Sequence, residues 1–191
     1  MARPARGEIH AGTYHVTHRS AGPILMFRDD SDRMDFCIRV ARVIDKQRWL
    51  CRAFCLMPTH YHLFLDVDEN ELQAGMQYLN GTYAQNFNRR HRRSGHLRGD
   101  RYFARPVESD GHMLQAFRYI ARNPVAAGLC EQPQDWIWGS YRDCVELDSR
   151  FSFVTHEPIR AYFGSDRAKA IQLLRTFVED LEPGSVPRRA A

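Results

Sequence analysis

The chain has 191 residues, of which 43% are hydrophobic, and this suits a folded domain with a sizeable core rather than a disordered chain. No apolar run approaches the roughly 20 residues of a membrane span, and the basic residues 1–12 lack the apolar core of a secretion signal, so we expect a cytoplasmic protein. The net charge is only +4, and arginines supply nearly all of the positive charge. Five scattered cysteines without a CxxC pair favour neither a zinc knuckle nor a disulfide framework.

Seven elements are predicted in chain order. A β-branched and aromatic strand at 13–19 precedes a helix that begins near Asp29 and ends at about Arg48, with the apolar stripe Met34, Cys37, Ile38, Ala41 and Ile44. Strands follow at 49–57 and 60–67, separated by Pro58 and Thr59. Asn70 is the expected cap of a second helix, with the stripe Leu72, Met76, Leu79, Tyr83 and Phe87.

The remaining elements complete a familiar order. Residues 102–107 are predicted to form an edge strand, because Pro106 cannot donate to a ladder. A third helix begins at Ser109 or Asp110 and is expected to stop at Asn123, before Pro124. The order β-α-β-β-α-β-α predicts an α+β fold, a ferredoxin-like antiparallel sheet (RRM-like) with two helices on one face. The other face is left for the third helix or for a ligand.

The C-terminal quarter is expected to be an extension of this domain. We divide the chain into a domain at 1–143 and a helical extension with a basic tail at 144–191. The aromatic cluster Trp136, Trp138 and Tyr141 should pack on the core. Ser165 is the predicted cap of a last helix whose shared face is Ala168, Ile171, Leu174, Phe177 and Leu181. Residues 182–191 have the composition of a disordered tail.

A histidine pair lies on the second of the two central strands. His60 and His62 are two residues apart, so both imidazoles project from one face while Tyr61 points to the other. Imidazole is a general ligand for divalent metals, and the pair could hold one ion. The same pattern also arises in ordinary half-exposed strand histidines, and the pair alone does not decide between these interpretations.

The third helix carries a second polar group of interest. Tyr119 and Asn123 are one turn apart, and they lie on the polar stripe opposite Met113, Phe117 and Ile120. A tyrosine on that side is not needed for the core, and without a metal nearby it would be an ordinary surface tyrosine of an amphipathic helix. Asn123 could act with Tyr119 or simply terminate the helix before Pro124.

Arginines are concentrated between the second helix and the edge strand. Asp100 is the only acid in this segment, which includes Arg89, Arg90, Arg92, Arg93, Arg98 and Arg101. Guanidinium groups suit phosphate contacts and stacking on bases, so the segment is a candidate DNA-binding surface. The alternative is a solvated loop without a ligand.

The assembled segments resemble the REP-associated branch of the one-tyrosine HUH transposases. Those segments are GTYHVTHR at 12–19, MPTHYHL at 57–63, YIARNPVAAGL at 119–129 and WIWGSY at 136–141, where Gly139 replaces the first serine of the usual W-x-W-S-S-Y. The resemblance covers residues 2–143, and the order and separation of the segments also agree.

The resemblance implies the roles of four residues. His60 and His62 would be metal ligands, Tyr119 the nucleophile, and Asn123 the third ligand in the place where insertion-sequence relatives have Gln. The cofactor would be Mg²⁺ or Mn²⁺, and the partner single-stranded or hairpin DNA, which is cleaved and rejoined through a 5′-phosphotyrosine. The absence of a GxxxxGK[ST] loop agrees with chemistry that needs no nucleotide cofactor.

Three other interpretations remain. The main alternative is a non-catalytic single-strand nucleic-acid-binding module with the same ferredoxin-like fold. A replication-initiator nickase would share the chemistry but would normally bring further domains. A structural protein with a decayed site would not be expected to retain His60, His62, Tyr119 and Asn123. The sequence does not distinguish a monomer from a homodimer.

Overall fold

The computed structural model describes residues 10–68, 71–97 and 99–180. Its main elements are β1 (Gly12–Arg19), α1 (Asp30–Gln47), β2 (Leu50–Met57), β3 (His60–Val67), α2 (Glu71–Arg90), β4 (Phe103–Pro106) and α3 (Asp110–Ala126). The rest of the described chain forms short 3₁₀ turns at Pro133–Asp135 and Ala161–Phe163 and the helices α4 (Tyr141–Cys144), α5 (Glu157–Arg160) and α6 (Arg167–Glu179). The predicted order of elements is confirmed.

The four strands form one antiparallel sheet in the order β2-β3-β1-β4. This is the ferredoxin-like order, and β4 lies at an edge as Pro106 predicted. In the register of β1 with β3, Thr17 is opposite His62 and Arg19 is opposite His60. Residues opposite each other in an antiparallel pair point to the same face of the sheet, so the register decides which side chains meet the histidines.

Each face of the sheet is covered by its own apolar core. On one face, β3 residues Tyr61, Leu63 and Leu65 pack under α1 and α2, together with the predicted α2 stripe from Leu72 to Phe87. On the other face, Phe64 packs with α3 and with residues of the C-terminal helices. Alternate residues of β3 therefore belong to two different cores. The face for which the sequence predicted either the third helix or a ligand is covered by α3.

The predicted stripe of α1 is wrong in part. Met34 is 40% exposed and Ile38 is 45% exposed, whereas the buried face consists of Asp32, Phe36, Cys37, Val40 and Val43. Both sets recur at helical spacing, so the pattern alone could not choose between them. Phe36 decides the rotation of the helix, because its ring packs against Tyr61 at a centroid distance of 4.7 Å and against Tyr83 at 5.1 Å.

The predicted end of α3 at Asn123 is also wrong. The helix continues through Pro124 to Ala126, and its terminator is Gly128, which has a positive φ of 67°. The Gly128 N–H donates to the carbonyl of Val125 and the Leu129 N–H to that of Pro124, which is the Schellman arrangement. Pro124 itself cannot donate, so the helix continues past it with one backbone hydrogen bond fewer. Asn123 is therefore inside a regular helix.

The C-terminal helices pack against α3. Leu174 and Phe177 of α6 are buried in the same core as Phe117 and Ile120 of α3. The cap of α6 is Asp166 rather than Ser165, because its carboxylate accepts from the Lys169 N–H. Trp138 and Tyr141 are buried as expected. Leu181, the tail at 182–191 and the proposed cap Asn70 lie outside the described residues, and the division at residue 143 stays an interpretation.

Candidate active site

The two histidines of β3 lie side by side on the face that α3 covers. Their ring centroids are 5.0 Å apart. Tyr61 between them points into the opposite core, where its hydroxyl donates to the side-chain oxygen of Asn80 at 2.8 Å. His62 is only 3% exposed, whereas His60 is half-buried. The burial of Tyr61 in the opposite core thus fixes β3, and both imidazoles point towards α3.

Tyr119 of α3 lies over this histidine pair. Its ring centroid is 5.5 Å from that of His62, and the ring remains 55% exposed. Asn123, one turn later, is close enough for its amide to interact with the imidazoles of both His60 and His62. The structure therefore brings together His60, His62, Tyr119 and Asn123 within one chain.

His15 is a member of this cluster that sequence reasoning missed. Its Nε2 is 2.9 Å from Nδ1 of His62, and its ring is 5.9 Å from the ring of Tyr119. His15 is opposite Phe64 in the register of β1 with β3, so it shares the face of the histidine pair. The one available signal was its place in the alternation of β1, between the buried Tyr14 and Val16.

Burial keeps the imidazoles of this face neutral. Desolvation, with smaller effects from Arg105 and His112, lowers the pKa of His15 to about 4. Desolvation and the neighbouring His15 lower the pKa of His62 to about 2. The pKa of His60 is lowered by desolvation and by the charge of Arg19, although the Asn123 amide opposes this. Neutral imidazoles keep the lone pairs that metal ligation requires.

The donor set fits a divalent ion. Nε2 of His62 is buried, and no hydrogen bond of acceptable geometry reaches it, although the Asn123 amide is close by. A buried imidazole nitrogen without a partner is costly unless something binds it. Within 10–68, 71–97 and 99–180, no group of three or more His, Cys, Asp or Glu side chains is placed to hold a metal. A site here would consist of two imidazoles, an amide and oxygens from outside the chain.

Comparison with known proteins identifies the family. A sequence model described as "Transposase IS200 like" matches residues 9–123, which is more than half of the chain. The chain belongs to this family. The matched range ends at Asn123, so it includes both histidines and Tyr119. No curated protein matches this IS200-like transposase at a significant level.

A solved structure supports the fold. A REP-associated tyrosine transposase bound to a REP hairpin superposes with a TM-score of 0.64, at 15% identity, over 100% of this chain and 99% of that chain. A Deinococcus radiodurans protein described as a transposase gives a TM-score of 0.42, at 18% identity, over 62% of this chain and 95% of its own. The first superposition shows that the present chain has the same architecture as the REP-associated protein, including the C-terminal helices.

The arginine segment of this transposase is divided between structural and exposed roles. Arg90 is committed to the fold, because its guanidinium pairs with Asp29 at 2.7 Å and with the buried Asp32. Arg93 contacts the Phe87 ring, whereas Arg89, Arg92 and Arg101 are exposed. Arg98 lies outside the described residues. The DNA-binding role of all six stays a prediction.

Arg19 is a second residue that the sequence did not single out. It is exposed at the end of β1, opposite His60, and its charge lowers the pKa of both histidines. It supplies a cation beside the site. None of the helices in the described ranges is long and apolar enough to cross a membrane.

Proposed function

We propose that the chain cleaves and rejoins single-stranded DNA at hairpin elements through a covalent bond to Tyr119. The observation that carries this proposal is the position of the exposed Tyr119 ring, 5.5 Å from the buried His62. Membership of a transposase family supplies the reaction class. A hairpin is the favoured substrate because the REP-associated protein with the same architecture was solved with one.

Tyr119 is the nucleophile in this proposal. Its hydroxyl oxygen attacks the scissile phosphorus and loses its proton to solvent, while the bond from phosphorus to the 3′ oxygen breaks. The departing strand takes a proton and leaves with a 3′-OH, and a 5′-phosphotyrosine remains. A second 3′-OH can attack this ester and release Tyr119, so the bond energy is conserved and no nucleotide cofactor is needed.

Mg²⁺ or Mn²⁺ is the proposed cofactor, held by His60, His62 and Asn123. Bound there, the ion would offset the charge that develops on the phosphate oxygens. The three ligands are uncharged, since the imidazoles are neutral and the third donor is an amide, so the full charge of the ion would be available to the phosphate. Arg19, exposed beside His60, adds a fixed positive charge that attracts the DNA backbone.

The decisive experiment is Tyr119→Phe, which removes one oxygen from an exposed ring. Wild type, incubated with a hairpin oligonucleotide from DNA adjoining its gene and with Mn²⁺, should give cleaved DNA and a denaturant-resistant adduct. Tyr119→Phe should bind the same DNA but yield neither product. Tyr78→Phe is the matched control, because Tyr78 is 46% exposed on α2, and it should behave as wild type.

The non-catalytic binding module is the alternative outcome of the same experiment. Hairpin binding by wild type without any adduct, under either metal, would favour it. An adduct that persists in Tyr119→Phe would assign the nucleophile to another residue. The cytoplasmic location stays a prediction, as does the expectation of a monomer or a homodimer.

A further inference from the structure

A row of side chains crosses the sheet from the candidate site to its edge. Thr17 of β1 is opposite His62 on one side and opposite Phe103 of β4 on the other. All three side chains therefore point to the face that carries Tyr119. Adjacent strands are about 4.8 Å apart, so Phe103 lies roughly 10 Å from His62, within reach of a nucleotide next to a phosphate bound there.

Phe103 is the most exposed large hydrophobic side chain of the described ranges, at 64%. Its neighbours in sequence, Tyr102 and Ala104, contact the core on the opposite face, so the fold fixes the direction in which the Phe103 ring points. A single exposed apolar residue is ordinary on a protein surface. An aromatic ring that is held in place beside a candidate phosphate-binding site is a ready stacking surface.

A cleft adjoins this ring. It has a volume of about 560 Å³, and its lining includes Thr17, Arg19, Asp100, Arg101 and Phe103. Arg19 and Arg101 are both exposed. Neither of them forms an ion pair with any residue in the part of the chain that the structure describes. Two uncommitted guanidinium groups beside one ring suit a phosphate and its base.

A third arginine extends this surface along β4. Arg105 is opposite His15 in the register of β4 with β1, so it shares the face, and its charge lowers the pKa of His15. It is exposed, and it too lacks an ion-pair partner among the described residues. The edge of the sheet thus presents one aromatic ring with cations on either side.

We propose that Phe103, with Arg19 and Arg101, forms a subsite for one unpaired nucleotide of the DNA strand next to the scissile phosphate. The base stacks on the Phe103 ring, and the guanidinium groups contact the adjoining phosphates. This rests on the proposed function, because the subsite is defined by its distance from the histidine pair. It adds to the arginine segment, which includes Arg101, an exposed ring on which a base can stack.

The composition of the surface favours a nucleotide over a protein partner. Arginines that flank a single aromatic ring match a stacked base with charged phosphates, and every base has a face that can stack. An apolar protein interface would require a larger hydrophobic patch, and the neighbouring β4 residues Arg105 and Pro106 do not supply one. Proline also limits the pairing of this edge with another strand.

The test compares two fluorescently labelled probes. One is a hairpin with its single-stranded flank, from DNA adjoining the gene, and the other is the hairpin without the flank. Phe103→Leu keeps the apolar bulk but removes the ring, and it should bind the flanked hairpin at least about fivefold more weakly while binding the bare hairpin as wild type does. Phe103→Trp should retain the affinity of wild type for the flanked hairpin.

Abasic substitution identifies the base that stacks. A single abasic position is moved along the flank of the probe. At one position it should weaken the binding of wild type by about the same factor, while the affinity of Phe103→Leu should not change. Tyr78→Leu is the matched control, because it removes an exposed ring from the opposite layer, and it should leave both affinities and the abasic profile unchanged. Arg101→Gln should weaken the binding of the flanked probe more than that of the bare hairpin.

The outcomes separate the subsite from the proposed function. If wild type binds the flanked hairpin and forms the Tyr119 adduct, but Phe103→Leu has wild-type affinity and the same abasic profile, the subsite is overturned and the function stands. If Phe103→Leu instead alters self-association with no effect on DNA affinity, the ring belongs to a contact between copies. Wild type that binds neither probe would overturn both proposals.

Discussion

His15 connects β1 to the candidate metal ligands through one hydrogen bond. Nε2 of His15 and Nδ1 of His62 are 2.9 Å apart, and only one of the two atoms can carry the shared proton. If His62 binds a metal through its orphaned Nε2, its Nδ1–H must donate to His15. His15 then acts as a positioning residue that fixes the tautomer of His62.

We expect His15→Phe to weaken Mn²⁺ binding by about tenfold, because it removes the acceptor for the Nδ1–H of His62. His15→Gln can still accept through its side-chain oxygen, and it should recover most of the affinity. Calorimetry measures the affinity, and ¹⁵N spectra of the metal-free imidazoles report the tautomer. Equal affinities and unchanged His62 tautomers in wild type and His15→Phe would show that the contact is only packing.

The sequence identified His60 and His62 but not His15, and the reason is physical. Alternation along β3 shows by itself that two imidazoles share a face. The placement of His15 beside His62 depends on the register of β1 with β3, which is set by packing of both cores and is not readable from either strand alone. Arg19 and Phe103 were missed for the same reason.

At the scale of elements, α1 and α2 are joined by an ionic cluster around a buried carboxylate. Asp32 is 2% exposed, and it accepts from the Arg28 N–H, from Arg90 and from His91. Arg90 also pairs with Asp29 and thereby lowers the pKa of that carboxyl to about 2. The cluster fixes the end of α2 to the beginning of α1.

Arg90 and Arg92 should therefore behave differently although they are two residues apart. Arg90→Gln should lower the free energy of unfolding, because it leaves Asp32 buried with a weaker partner. Arg92 is exposed, so Arg92→Gln should leave the free energy of unfolding unchanged. If the segment binds DNA, Arg92→Gln should also flatten the salt dependence of hairpin affinity. Urea unfolding and binding titrations at several salt concentrations measure the two effects. Identical stability of both variants would contradict the structural role of Arg90.

The buried face of a helix was predicted correctly where its apolar pattern allows only one face. The α2 stripe has a single apolar face, and it is buried as expected. The α1 pattern allowed two faces, and the choice required the rings of Tyr61 and Tyr83, which come from other elements. Pro124 predicts a terminator, but the helix continues past it and ends in the Schellman turn at Gly128, which satisfies its last carbonyls.

At the scale of the whole molecule, buried histidines make stability depend on pH. Burial, and then the charge of Arg160, lowers the pKa of His156 to about 4, while Glu157 and Glu146 partly oppose this. His15 and His62 are lowered in the same direction. The unfolded chain binds these protons at about pH 6.5, and the folded chain does so only at lower pH.

The metal-free protein should therefore be most stable above about pH 6.5 and should lose stability as the pH falls towards 4. In that window the unfolded state binds more protons, so the free energy of unfolding rises with pH. His156→Gln removes one of these groups at the start of α5, outside the histidine cluster of β1 and β3, and it should reduce the slope. Urea unfolding at a series of pH values measures this slope of the free energy of unfolding against pH. An unchanged slope in His156→Gln would show that His156 titrates normally in the folded state.

The joint placement of Tyr119 and His62 in one chain has a consequence for genetics. Each molecule carries both halves of the candidate site, so if this site performs the proposed reaction, no exchange of helices between copies is needed to assemble it. Consider two defective alleles: one carries Tyr119→Phe, and the other carries both His60→Ala and His62→Ala. They should then fail to complement each other when they are expressed together. In a mixture with wild type and an excess of hairpin DNA, adduct yield should fall in linear proportion to the wild-type fraction, without dominance by either allele.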